Sequence, residues 1–146
     1  MSFQWLQMRI QEEKERRERE AQILESLPRT LEEVHRALAA CVENYGKAFG
    51  SESATIALLP SKIRITILEQ REGRWQTTSR VEVGTVAAIP GLQIDCGEAS
   101  MVVEVGLLPG NKVYYRDREQ DKFLTMEELT RRILDRAFFP KLQDQG

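Results

Sequence analysis

The sequence predicts an α+β protein: an antiparallel β-meander of four to six strands covered by two helices, about 31–45 and 126–138, with a projecting charged N-terminal helix. Three observations carry this. Hydrophobic residues recur at three-four spacing over the first 45 residues and again near the C-terminus, the period changes to two between residues 54 and 117, and the links between the alternating segments are short. Short links favour antiparallel neighbours, because parallel ones need crossovers of about a dozen residues or more. Such a sheet has one face to cover, and two apolar-striped helices are its natural cover.

The first helix is expected over residues 4 to about 26. Phe3, Leu6 and Ile10 share a three-four spacing with Leu24, Leu27, Leu31, Val34, Leu38, Cys41 and Tyr45, and the same register carried through the gap lands on Glu13, Arg17 and Glu20. An apolar tip and an apolar base are thus joined by a charged shaft. The shaft is rich in strong helix formers, and Glu12–Arg16, Glu13–Arg17 and Glu15–Arg19 are i,i+4 pairs in the favourable order, each worth about 0.2–0.5 kcal/mol. Nothing on the shaft supplies burial.

Pro28 removes a helical hydrogen bond and biases Leu27 away from helical angles. Thr30-Leu31-Glu32-Glu33 then reads as a capping box. The expectation is a break or kink near 27–29, a second helix over 31–45, and a division into an N-terminal appendage, residues 1–28, and one α+β domain, residues 29–146. Gly46 and Gly50 are stop signals for that helix.

Ile63, Ile65 and Ile67 alternate with polar neighbours as in a half-buried strand, and Arg71-Glu72-Gly73-Arg74 reads as a hairpin turn into Trp75, Thr77, Ser79, Val81 and Val83 on one face. Pro90-Gly91, Gly97-Glu98 and Pro109-Gly110-Asn111 punctuate the remaining strands. Ala54–Leu59 is too short an apolar run to separate strand from helix. Thr125-Met126-Glu127-Glu128 is a second capping box, opening a helix whose stripe is Leu129, Ile133, Leu134, Ala137 and Phe138 and which Pro140 ends.

Composition narrows the function classes. Hydrophobic residues make up 41% of the chain, enough for a core, and charged residues 30%, with a net charge of −2 that offers no field for nucleic acid. Cys41 and Cys96 are isolated, without a CxxC or a histidine pair, which predicts neither zinc nor a disulfide framework and fits a reducing compartment. No apolar run approaches the ~20 residues of a membrane span, and the N-terminus has no signal-peptide pattern. The expectation is a soluble cytoplasmic protein.

Few residues invite chemistry. The stretch from Asp117 to Glu128 resembles the calcium loop of the EF-hand family, with Asp117, Glu119 and Asp121 at carboxylate positions, Phe123 offering a carbonyl, Leu124 at the apolar position and Glu128 as the closing ligand. It departs from that pattern at Lys122, where a glycine makes the turn, and in the strand-like segment before it. The expected reading is a polar turn followed by a capped helix. His35, the one histidine, lies at the margin of an apolar helix face and has no evident acid–base partner. Cys41 reads as a core thiol, Cys96 as a thiol beside a turn, and Asp95 and Glu98 as turn carboxylates. Around Glu52 the sequence is no nucleophile elbow. No catalytic residue, cofactor site or metal ligand is therefore assigned.

What remains is the tip. Phe3, Trp5, Leu6, Met8 and Ile10 cannot bury themselves within a charged segment, so they are assigned as partner-binding residues. Their shelter could be another chain, the protein's own body or a membrane surface; the balanced sign of the shaft argues against the last. The expected function is a non-enzymatic interaction module that self-associates, or binds another protein, through the N-terminal helix. The alternative is a small-molecule or metal-binding protein with a pocket between sheet and helices, lined by Trp75, Tyr114 and Tyr115.

Overall fold

The computed structural model describes residues 2–97 and 99–143. Helix α1 spans Gln4–Phe49, a single 46-residue rod about 69 Å long. Seven strands follow: β1 (Ala54–Leu59), β2 (Lys62–Arg71), β3 (Arg74–Val86), β4 (Gly91–Cys96), β5 (Ala99–Leu108), β6 (Lys112–Asp117) and β7 (Lys122–Leu124). Helix α2 spans Met126–Phe138, and a short 3-10 turn, Pro140–Leu142, follows it. The strands pair in chain order as one antiparallel meander. The class is the expected α+β. Seven strands stand in place of four to six because the ambiguous Ala54–Leu59 is a strand and the three residues Lys122–Leu124, within the acidic stretch, add the last edge.

The expected break at Pro28 does not occur. Pro28 sits exposed inside α1, and the helix runs on to Phe49, where Gly50, at φ 110°, donates its N–H to the Gly46 carbonyl and ends it. A proline in a helix interior costs about 3 kcal/mol. Burial outweighs this locally: Leu27, Leu31, Val34, Leu38 and Val42 are buried on one face of α1, and each contributes about 1.5–3 kcal/mol. Thr30, expected to cap a second helix, lies within α1 instead, buried and with its hydroxyl unpartnered among the described residues.

The core is the layer between the helices and one sheet face. Ile63, Ile65, Val81, Val83, Leu92 and Ile94 point into it from the strands, and α2 contributes Leu129, Ile133 and Leu134. The second capping box is present in full: the Glu128 N–H donates to the Thr125 hydroxyl at 3.1 Å, and the Thr125 N–H to the Glu128 carboxylate at 3.3 Å. The β2–β3 turn is a two-residue loop in which Glu72 and Gly73 both have positive φ, 54° and 79°.

The return strand does not keep one face throughout. Ile67 pairs with Ser79 but Leu68 pairs with Thr77, so Thr78 is an inserted residue, and its hydroxyl donates to the Ile67 carbonyl. Trp75 and Thr77 consequently pair with Gln70 and Leu68, out of phase with Val81 and Val83. The opposite sheet face carries ion pairs beside exposed Val102 and Phe123. Glu82 bridges Lys62 and Arg64, and Glu104 bridges Arg116 and Arg118.

Candidate interaction site

Burial on α1 begins at Ile23, so the helix extends about 28 Å beyond the body before its tip is reached. The charged shaft bonds only along itself. Arg16 holds Glu13 at 2.7 Å and Glu20 at 2.5 Å, Arg17 reaches Glu13 at 3.1 Å, and Arg9 pairs with Glu12. Glu13–Arg17 is thus one of the pairs expected from spacing, whereas Arg16 turns to Glu13 and Glu20, and Glu15 accepts from Gln11. Hydrogen bonds from Arg16 and then Arg17 hold the Glu13 carboxyl down to about 2. These pairs are exposed, so each adds little stability; their effect is to keep the shaft helical out to its end.

At that end, Phe3, Trp5, Leu6, Met8 and Ile10 are 41–67% exposed. The helix does not fold back, and none of the other described residues covers them. All of the predicted partner-binding residues therefore lie within about two turns at the projecting end of the helix. Phe3, Leu6 and Ile10 occupy the same three-four seam that, from Leu24 onward, packs on the sheet. Trp5 and Met8 lie off that seam.

Where the seam meets the body, a groove of about 370 Å³ runs between α1 and the β5–β6 turn, lined by Gln22, Ser26, Thr30, Leu107, Asn111 and Val113. Tyr115 is buried on the core face nearby, under the influence of Glu33. Its hydroxyl has no partner among the described residues, and burial, with the Glu33 charge, pushes its pKa up to about 12.

The other sequence candidates are dispersed. Asp117 accepts the N–H groups of Glu119 and Gln120, at 3.0 and 3.2 Å, and pairs with Arg132. Asp121 pairs with Arg116, and Glu128 with Lys122 at 2.7 Å. The carboxylates of the acidic stretch thus turn to separate cations across a β6–β7 hairpin, and among the described residues no group of three or more His, Cys, Asp or Glu side chains is placed to hold a metal. His35 and Cys41 are half-buried on α1. Burial, with the Asp95 charge, pushes the Cys96 thiol up against a weaker pull from Arg136, which disfavours a reactive thiolate. Asp95 accepts from Gln93; Glu98 lies outside the described residues.

The aromatic residues expected to share a pocket do not converge. Tyr115 faces the core, whereas Tyr114 lies on the other sheet face, its ring covering Gly106, where an added Cβ would fall 2.1 Å from the ring. Trp75 stands against Gly50 at the end of α1. Open grooves remain at the rim. One of about 470 Å³ between α2 and β4–β5 includes Cys96, Arg131, Arg132 and Arg136. Another, about 490 Å³, runs between α1 and α2 around Tyr45, Phe49, Phe138 and Phe139, with Tyr45 stacked on Phe138 at 4.2 Å. Sequence reasoning missed both grooves, since each is lined from elements far apart in the chain. No helix among the described residues is long and apolar enough to cross a membrane. No protein-family model matches the chain, and comparison with curated proteins and with solved structures gives no match either.

Proposed function

We propose that this chain is a protein-interaction module that associates through the N-terminal part of α1. The reading rests on one observation. Phe3, Trp5, Leu6, Met8 and Ile10 stand exposed at the end of a helix that continues well beyond its own core. Exposing a contiguous apolar cluster is costly for a free protein and ordinary for one half of an interface. A continuous helix carries the cluster clear of the body, where a partner can reach it without competing with the sheet. Other roles for the rod explain less. A solubilising tail needs no tryptophan or phenylalanine, and a helix lying on anionic lipid needs a basic polar face, whereas Arg and Glu alternate along this one.

Light scattering on the full chain, beside a variant carrying Trp5→Ser, Leu6→Ser and Ile10→Ser, tests the reading. The expected result is a mass above the monomer for the natural chain and the monomer mass for the variant, both retaining the same sheet signature by circular dichroism. A monomer at every concentration, with the Trp5 emission fully solvent-exposed, would overturn association through this tip.

A further inference from the structure

We infer that the partner is a second copy of this chain and that the two α1 helices pair antiparallel about a two-fold axis, Glu13 of each lying against Arg17 of the other. This inference rests on the proposed association through α1 and specifies its geometry. The three-four seam of α1 is unbroken from Phe3 to Tyr45 and alternates the core positions of a heptad: Phe3, Ile10, Arg17 and Leu24 at one, Leu6, Glu13, Glu20 and Leu27 at the other. From Leu24 onward the protein's own sheet occupies the seam. Ahead of it the seam is open.

Charge and space together choose the arrangement. A parallel, in-register partner would set Glu13 on Glu13, Arg17 on Arg17 and Glu20 on Glu20, like on like at each core level. It would also run straight into the sheet that fills the seam beyond Ile23. An antiparallel partner avoids the like charges, and because its body lies at the opposite end only its first residues reach the level at which the sheet closes the seam. Antiparallel coiled coils set one kind of core position against the other, so the allowed registers differ by one heptad. In the register centred between Glu13 and Arg17, Glu13 meets Arg17 twice by symmetry, Ile10 meets the stem of Glu20, Leu6 meets half-buried Leu24, and Phe3 arrives level with Leu27, where the body begins.

The neighbouring registers fail. Sliding one heptad outward sets Phe3 on Glu20, Leu6 on Arg17 and Ile10 on Glu13, so each apolar tip residue meets a charge. Sliding one heptad inward sets both Leu6 and Phe3 on side chains already buried under the partner's own sheet, Leu31 and Val34, where the favoured register sets only Phe3 on one, Leu27, and it also brings Glu13 against Leu24. The favoured register overlaps about 36 Å of helix. At their exposures the three seam side chains of the tip, Phe3, Leu6 and Ile10, offer roughly 250 Å² per copy, taking about 150–250 Å² for a large side chain. The rest of the ~1,200 Å² at which stable interfaces begin comes from the shafts. A two-fold axis also closes the assembly at two copies.

Charge reversal and cross-linking on the full chain test the geometry. Glu13→Arg and Arg17→Glu should each raise the dimer dissociation constant about tenfold or more, by turning two attractive contacts into two repulsive ones. The double variant E13R/R17E should restore it to within about threefold, since every cross-pair is again opposite in sign. Under mild oxidation, a chain carrying Leu6→Cys and Leu24→Cys should give a covalent dimer, and Leu6→Cys alone should not. Cross-linking by Leu6→Cys alone, or single reversals that leave the dissociation constant unchanged while the serine-substituted tip still dissociates the dimer, would overturn this geometry and leave association through α1 standing. A natural chain that stays monomeric would overturn both.

Discussion

Replacing Pro28 with alanine should stabilise the protein, which is not the usual result of changing a residue in a helix so well packed. Pro28 is exposed within α1, so its ring contributes little to the core, and the missing N–H leaves the Leu24 carbonyl without its helical partner. The intrinsic difference between the two residues in a helix interior is about 3 kcal/mol. Two effects reduce it. The helix has already adapted to the ring, and proline restrains the unfolded chain, an advantage of about 0.4–1 kcal/mol that alanine gives up. The expected net gain is about 1–2 kcal/mol, or roughly 3–8 °C in Tm for a chain of this size. Thermal and urea unfolding followed at 222 nm measure it. A loss of stability, or a separate early transition in the variant, would refute the reasoning, because it would mean that a bend at Pro28 is needed to seat Leu27 and Leu31 on the sheet.

Three further outcomes follow from the packing. Gly91→Ala should destabilise by about 2–3 kcal/mol, since its Cβ would lie 2.4 Å from the Val103 carbonyl oxygen in the adjacent strand, and a backbone group there cannot swing aside; Gly106→Ala, opposed only by the Tyr114 ring, should cost less by the same unfolding assay. Tyr115→Phe should leave stability unchanged or raise it by up to about 1 kcal/mol, because the buried hydroxyl has no partner among the described residues to lose. For Asp117, burial pushes the carboxyl up, but the Gln120 N–H, Arg132 and the Glu119 N–H together carry it below its ordinary value. A depressed carboxylate contributes stability above its unfolded pKa, near 4, and loses it as pH falls through the lower folded value. Asp117→Asn should therefore be less stable than the natural chain at pH 7 and flatter in its stability profile below about pH 4, read by urea midpoints.

The elements that sequence reasoning recovered are those decided within a few residues. Alternation of Ile63, Ile65 and Ile67 marks a half-buried strand because the backbone itself imposes the period. The Thr125–Glu128 box marks the start of α2 because both of its bonds are local. Pro28 shows the opposite case: the local rule breaks the helix, and only burial against strands some forty residues further on reverses it. The insertion at Thr78 escaped for a related reason, since one extra residue leaves the composition of β3 unchanged while shifting Trp75 and Thr77 out of phase. Grouping Tyr114 with Tyr115 in one pocket was a correctable error, as adjacent residues of a strand face opposite sides. For the candidate site, the apolar tip was legible in composition, but whether it lay on the body or stood clear of it depended on α1 continuing through Pro28.

That continuity gives the charged block its proposed meaning. Had α1 broken near residue 28, the shaft and its tip would pivot, and no fixed relation would exist between Glu13 and the sheet. Because the helix is one rod, the body fixes where the open seam ends, and the seam's end fixes which registers a second copy can adopt. A wholly apolar seam over the same length would bind more tightly but in several registers and more than one orientation. On the proposed pairing, Glu13, Arg17 and Glu20 give up some of that affinity and exclude the alternatives, since each wrong register brings a charge against a leucine, a phenylalanine or its own kind. The order of signs along the seam matters more than the number of charges. Exchanging Glu13 with Arg17 preserves composition, net charge and helix propensity, and preserves the pairing, whereas changing either one alone does not.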